Sequence, residues 1–158
     1  MCREKRRNAQ AEGQAAARQG DPTHLLGCML YWAEGSKSRC SLIFANSDVA
    51  MCRAYVRFLR RCFDVPDAEV TIRVNAYTGN GLTEAEITEF WLRALELPET
   101  CLRKSIFNHF PTSSSGAKVN KLPYGVCTIR VLKSNLLMQH IFGAIQEYAS
   151  FDEPMWLG

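Results

Sequence analysis

His24-Leu25-Leu26-Gly27-Cys28-Met29-Leu30-Tyr31-Trp32-Ala33-Glu34-Gly35 is an apolar run that ends in one carboxylate and a glycine. Leu26, Met29, Leu30 and Ala33 recur at helical spacing, so the run reads as a helix with those side chains turned to a core. Gly27, Tyr31 and Glu34 fall on the neighbouring stripe. Gly35 reads as the stop, because glycine accepts the left-handed conformation that closes many helices. Glu34 sits where the helix dipole disfavours negative charge. A residue kept against such a preference is a candidate functional position.

After this run, Ser36-Lys37-Ser38-Arg39 is a polar turn and residues 40–45 are a short apolar strand. Asn46-Ser47-Asp48 then opens a helix, since short polar side chains satisfy the free amides of a first turn. That helix carries Met51, Cys52, Tyr55, Phe58, Leu59 and Cys62 inward. Arg53, Arg57, Arg60 and Arg61 fall mostly outside and read as a solvated surface. Residues 69–77 alternate: Val70, Ile72, Val74 and Ala76 point one way, Arg73, Asn75 and Tyr77 the other. This is a half-buried strand with one polar face. Thr83-Glu84-Ala85-Glu86 is a capping box before a helix with Ile87, Phe90, Trp91, Ala94 and Leu95 inward.

Residues 101–110 look extended and carry the basic pair Arg103-Lys104. A Ser-rich connection with Lys118 follows, then Lys121. Residues 126–132 form a further strand with Thr128 and Arg130 on one face, so the simplest account is a hairpin with a basic loop. Ser134-Asn135 caps a last helix with Leu137, Met138, Ile141, Ala144, Ile145 and Tyr148 inward. The tail, residues 151–158, tucks its apolar side chains onto the body. On the other side of the opening run, Gly20-Asp21-Pro22-Thr23 breaks the chain, and Asp21 or Thr23 caps the helix. Residues 1–20 have no apolar stripe and read as a basic linker or exposed helical tail. The order gives an α+β domain over 21–150, with helices packed on one face of a mainly antiparallel twisted sheet.

At 158 residues the chain is long enough for one buried core. Its seven cysteines are odd in number and form no Cys-x-x-Cys pair, so they read as buried free thiols rather than as a disulfide framework or zinc site. No apolar run is long enough to span a membrane and no signal-peptide core is present, which points to the cytoplasm. Net charge is only +3, but between Lys37 and Arg61 six basic residues face one acid, Asp48. Such local asymmetry is common in DNA-binding proteins and would place this one at the nucleoid.

The helix ending Ala33-Glu34-Gly35 resembles the signature helix of the LAGLIDADG (DOD-type) homing-endonuclease superfamily, with Glu34 at the last acidic position. Ile43-Phe44-Ala45-Asn46-Ser47-Asp48 followed by Met51 is similar to the family's strand-to-helix junction. Tyr31-Trp32-Ala33-Glu34-Gly35-Ser36, Asn46-Ser47-Asp48, Asn120-Lys121-Leu122-Pro123-Tyr124-Gly125 and Gln146-Glu147-Tyr148 resemble actinobacterial and phage proteins that often carry an N-terminal helix-turn-helix. Such a region would lie upstream in a longer chain. Met29 and Trp32 depart from the endonuclease pattern, at its first small residue and beside its last acid.

The resemblance implies a LAGLIDADG-like fold that binds double-stranded DNA, as a homodimer with two signature helices side by side. Gly27 and Tyr31 are then the candidate interface residues. It also implies that Glu34, from each chain, is the catalytic residue and metal ligand if Mg²⁺-dependent cleavage is retained; otherwise no cofactor is expected. Arg73, Asn75, Tyr77 and Arg130 are the candidate base contacts. Lys37, Arg39, Arg103, Lys104, Lys118 and Lys121 are candidates for phosphate. A non-catalytic, regulatory or mobile-element DNA-binding domain ranks first, a metal-dependent endonuclease second, and an interaction domain that binds no DNA third.

Overall fold

The computed structural model describes residues 1–38, 40–109 and 122–158. The chain runs α1 (Arg3–Arg18), α2 (Pro22–Glu34), β1 (Leu42–Asn46), α3 (Val49–Phe63), β2 (Val70–Ala76), α4 (Glu84–Leu95), β3 (Ile106–Phe107), β4 (Val126–Val131) and α5 (Asn135–Ala149). The fold is α+β, with a sheet in the order β1-β4-β2-β3. β4 lies antiparallel to both β1 and β2, pairing Phe44 with Ile129 and Ile72 with Ile129. Val70, Ile72, Val74 and Ala76 are buried, while Arg73 and Asn75 are exposed, as the alternation requires.

The sheet is mixed, not antiparallel throughout. β3 runs parallel to β2, pairing Asn75 with Ile106, and is not a neighbour of β4, so the expected hairpin between the two is not made. The backbone reason is the crossover: α4 returns the chain to the starting end of β2, as parallel neighbours demand. Arg103 N then donates to Ile72 O at 2.8 Å and Asn108 N to Ala76 O at 2.9 Å, along the edge of β2.

The helices cover the apolar face. Tyr55 of α3 stacks on Phe44 of β1, ring centroids 4.3 Å apart. Asp48 caps α3 by accepting from Met51 N, and Thr83 caps α4 by accepting from Glu86 N. Asp21, rather than Thr23, caps α2.

The buried stripe of α2 differs from the expected one. His24, Gly27, Cys28 and Tyr31 face inward, whereas Leu26 is 52% exposed and Ala33 is exposed. Almost every residue of this helix is apolar, so periodicity alone does not choose the face; close packing does. A Cβ on Gly27 would stand 1.9 Å from Cγ of Phe58, so the glycine admits an α3 ring against the α2 backbone. Nor is Gly35 left-handed: its φ of −77° is extended, and it bridges Phe44 beside β1.

Residues 1–20 are not an exposed tail. α1 packs along α5 and buries Ala9, Gly13 and Ala17, one turn apart. A Cβ on Gly13 would lie 1.9 Å from His140 O, and one on Gly143 would lie 2.1 Å from Gln10 O. The two backbones approach at paired glycines, a fit with little hydrophobic signature. In the tail, Trp156 stacks on Phe142 at 4.7 Å and Phe151 on Trp32 at 5.5 Å, while Met155 stays 69% exposed, so its apolar residues tuck in only in part.

Candidate nucleic-acid interface

The side of the sheet away from the helices carries the basic residues. β2 and β4 pair Arg73 with Thr128 and Thr71 with Arg130, so Arg73 and Arg130 are diagonal neighbours, roughly 7–8 Å apart at Cα. Leu102 bridges Ile72, which sets Arg103 alongside Arg73 at the edge of β2. Arg73, Arg103 and Arg130 share a shallow basin of about 330 Å³, floored by Thr71 and Thr128 and flanked by Ile43 and Leu132. All three arginines are exposed. Among the described residues no carboxylate forms an ion pair with them; the Arg103 guanidinium donates to the carbonyls of Thr100 (2.8 Å) and Leu102 (3.4 Å). Three guanidinium groups on one polar surface make a field that attracts polyanions and presents fork-shaped donors to phosphate.

Asn75 is exposed on the same strand face, and Lys104 is exposed beside Arg103. Tyr77 follows the end of β2, where its hydroxyl donates to His109 O at 2.9 Å. Arg39, Lys118 and Lys121 lie outside the described residues, as does the Ser-rich connection. Lys37 is engaged elsewhere. Its ammonium donates to the carbonyls of Trp32 and of Gly35, the latter at 2.9 Å, and so closes the end of α2. Burial lowers its pKa, while Glu34 opposes that shift. Leu132 in the basin was not legible as a site residue, because its place depends on how β4 ends.

Gly27 and Tyr31 cannot be interface residues between copies in this conformation. Gly27 is filled against Phe58, and Tyr31 is wholly buried, its hydroxyl donating to Ser36 O at 2.5 Å. Burial pushes the Tyr31 phenol up to about 12. The exposed side of α2 is instead Leu25, Leu26 and Ala33, with Trp32 partly covered by Phe151.

Glu34 is exposed at the last residue of α2, where the chain turns to join the edge of β1 through Ser36 N, which donates to Ile43 O at 2.8 Å. Among the described residues no group of three or more His, Cys, Asp or Glu is placed to hold a metal ion. Mg²⁺ demands near-octahedral oxygen ligation, and one exposed carboxylate does not supply it. The described residues of a single protomer therefore do not fit a metal centre. All seven cysteines are free thiols; Cys28, Cys52, Cys101 and Cys127 are buried as expected, whereas Cys62 is half-buried and Cys2 and Cys40 are exposed. Among the described residues no helix is long and apolar enough to cross a membrane.

Neither a family model, nor a curated protein, nor a solved structure matches this chain.

Proposed function

We propose that this protein binds double-stranded DNA through the polar face of its sheet, as a LAGLIDADG-like, non-catalytic domain of regulatory or mobile-element type. The observation that carries this reading is the clustering of Arg73, Arg103 and Arg130 around one basin with no carboxylate partner among the described residues. Sheet surfaces of this kind can read a major groove, with exposed polar side chains on base edges and cations on phosphates. Asn75 and the arginines are suited to base edges; Lys104 is suited to the backbone.

The test is the salt dependence of binding to a short fluorescent duplex, followed by anisotropy. Counterion release gives a slope of about −0.9 per phosphate contact in log Kobs against log salt. Arg73→Ala with Arg130→Ala should weaken binding and cut that slope by up to about 2. Failure of the wild type to bind at about 50 mM salt sinks the proposal. Nicking of supercoiled plasmid with Mg²⁺, lost in Glu34→Ala, would replace it with the endonuclease reading.

The same proposal includes a homodimer, now through the exposed apolar side of α2. Exposed apolar patches of this kind mark association surfaces, and a second copy would bury Leu25, Leu26 and Trp32 across a two-fold axis. Sedimentation should give a dimer that Leu26→Asp converts to a folded monomer. A monomeric wild type at the concentrations used for binding contradicts it.

A further inference from the structure

We propose that α3 carries a second phosphate-binding surface, which takes the backbone of a DNA segment other than the one on the sheet. This inference rests on the reading of the protein as DNA-binding. Arg53, Arg57 and Arg61 are exposed and stand four residues apart on the side of α3 opposite the buried Cys52, Tyr55, Phe58 and Leu59. Four helical residues rise about 6 Å, so the three make a straight cationic stripe about 12 Å long.

Like charges four apart destabilise a helix, and α3 places two such pairs in succession. α4 shows the ordinary arrangement instead: Glu89 sits four residues before Arg93, and the two pair at 2.9 Å. Among the described residues no carboxylate pairs with Arg53, Arg57 or Arg61. Arg61 stands in the last turn of α3, where the helix dipole favours a cation; Arg53 and Arg57 have no such place within the described fold, and reading the three as a solvated face leaves their mutual repulsion unexplained.

Arg60 differs from its neighbours. It donates to Leu95 O at 3.1 Å, to Glu96 O at 2.7 Å and to Asp67 at 3.1 Å. It thereby pins the end of α4 against α3 and neutralises the carbonyls there. The result is a groove of about 290 Å³ between the two helices, walled by the three free arginines and Arg60, with Glu96 as its one acid. Of its apolar members Val56 and Leu95 are buried and Ala94 is half-buried, so it offers no large hydrophobic anchor of the kind a protein partner needs. A linear stripe of guanidinium groups with no apolar anchor suits a phosphodiester backbone, whose oxygens accept bidentate donors.

α3 covers the apolar face of the sheet, so its outer side and the arginine basin look in opposite directions. One protomer can then hold two duplexes, one on each side.

The experiment is capture of a free fluorescent duplex by protein already bound to a duplex on beads. It compares the wild type, the variant Arg53→Gln/Arg57→Gln/Arg61→Gln, and the sheet variant Arg73→Ala/Arg130→Ala. Circular dichroism and thermal melting first establish that each variant is folded. The wild type should capture the second duplex. The Gln variant should bind one duplex with unchanged Kd and capture none. In the sheet variant, duplex binding should survive through α3 while capture is lost.

Full capture by the Gln variant would mean that two sheet faces of a dimer do the bridging, and would overturn the inference. So would a wild type that binds one duplex and captures no other. If the sheet variant keeps wild-type binding and capture while the Gln variant loses all binding, the sheet reading falls and the α3 surface stands. A wild type that binds no duplex overturns both.

Discussion

Two histidines meet in the helical layer, and their contact makes stability depend on pH. His24 Nε2 lies 3.1 Å from His140 Nε2, and His24 Nδ1 lies 2.7 Å from the Tyr148 hydroxyl. Burial, and then the charge of His24, pull His140 down to about 4. Burial lowers His24 as well, against Asp21, which raises it. Around the cleft that His140 borders stand Lys5, Glu12, Asp64, Glu69 and Lys133; Cys28 touches His24 within the layer. In the unfolded chain His140 takes a proton near its ordinary value of 6.5, while the folded protein refuses it until about 4. Between those values the unfolded state binds more protons, so this contribution is complete above 6.5 and is lost as pH falls toward 4. The urea midpoint should therefore fall more steeply through this window in the wild type than in His140→Leu. Equal slopes would contradict the account.

The α1–α5 pair stands or falls on glycine. A methyl on Gly143 would collide with Gln10 O at 2.1 Å, a backbone atom that cannot swing aside. Gly143→Ala should therefore separate the helices and cost roughly 1–3 kcal/mol by urea titration; a change near zero would contradict the close approach. The same contact explains what the sequence conceals. α3 is legible because its apolar residues fall on one side and its arginines on the other. β2 is legible because it alternates. α1 is not, since an Ala9-Gly13-Ala17 stripe has almost no hydrophobic contrast and acquires meaning only opposite Gly143. α2 has the opposite trouble: an excess of apolar residues leaves its face to be chosen by Gly27 against Phe58. β3 has two residues and pairs across a crossover, which no local pattern encodes. In the site, Arg73, Asn75 and Arg130 follow from alternation, but the company of Arg103 depends on the Ile72–Leu102 bridge.

On the scale of the molecule, the fold divides its labour between the two sides of the sheet. One is sealed by α2, α3 and α5 over Phe44, Ile72 and Ile129, which leaves the other to carry guanidinium groups at little cost to the core. Strands β2 and β4 fix the backbone positions of Arg73 and Arg130, and the bridge of Leu102 to Ile72 places Arg103 beside them, an arrangement that suits a ligand with a regular charge repeat. The most direct measurement is the arginine side-chain Nε–Hε NMR spectrum, assigned by substitution, as a short duplex is added at low salt. The account predicts that Arg73, Arg103 and Arg130 shift with the first equivalent of DNA. Binding that leaves those three resonances in place, or no binding at all, would contradict it.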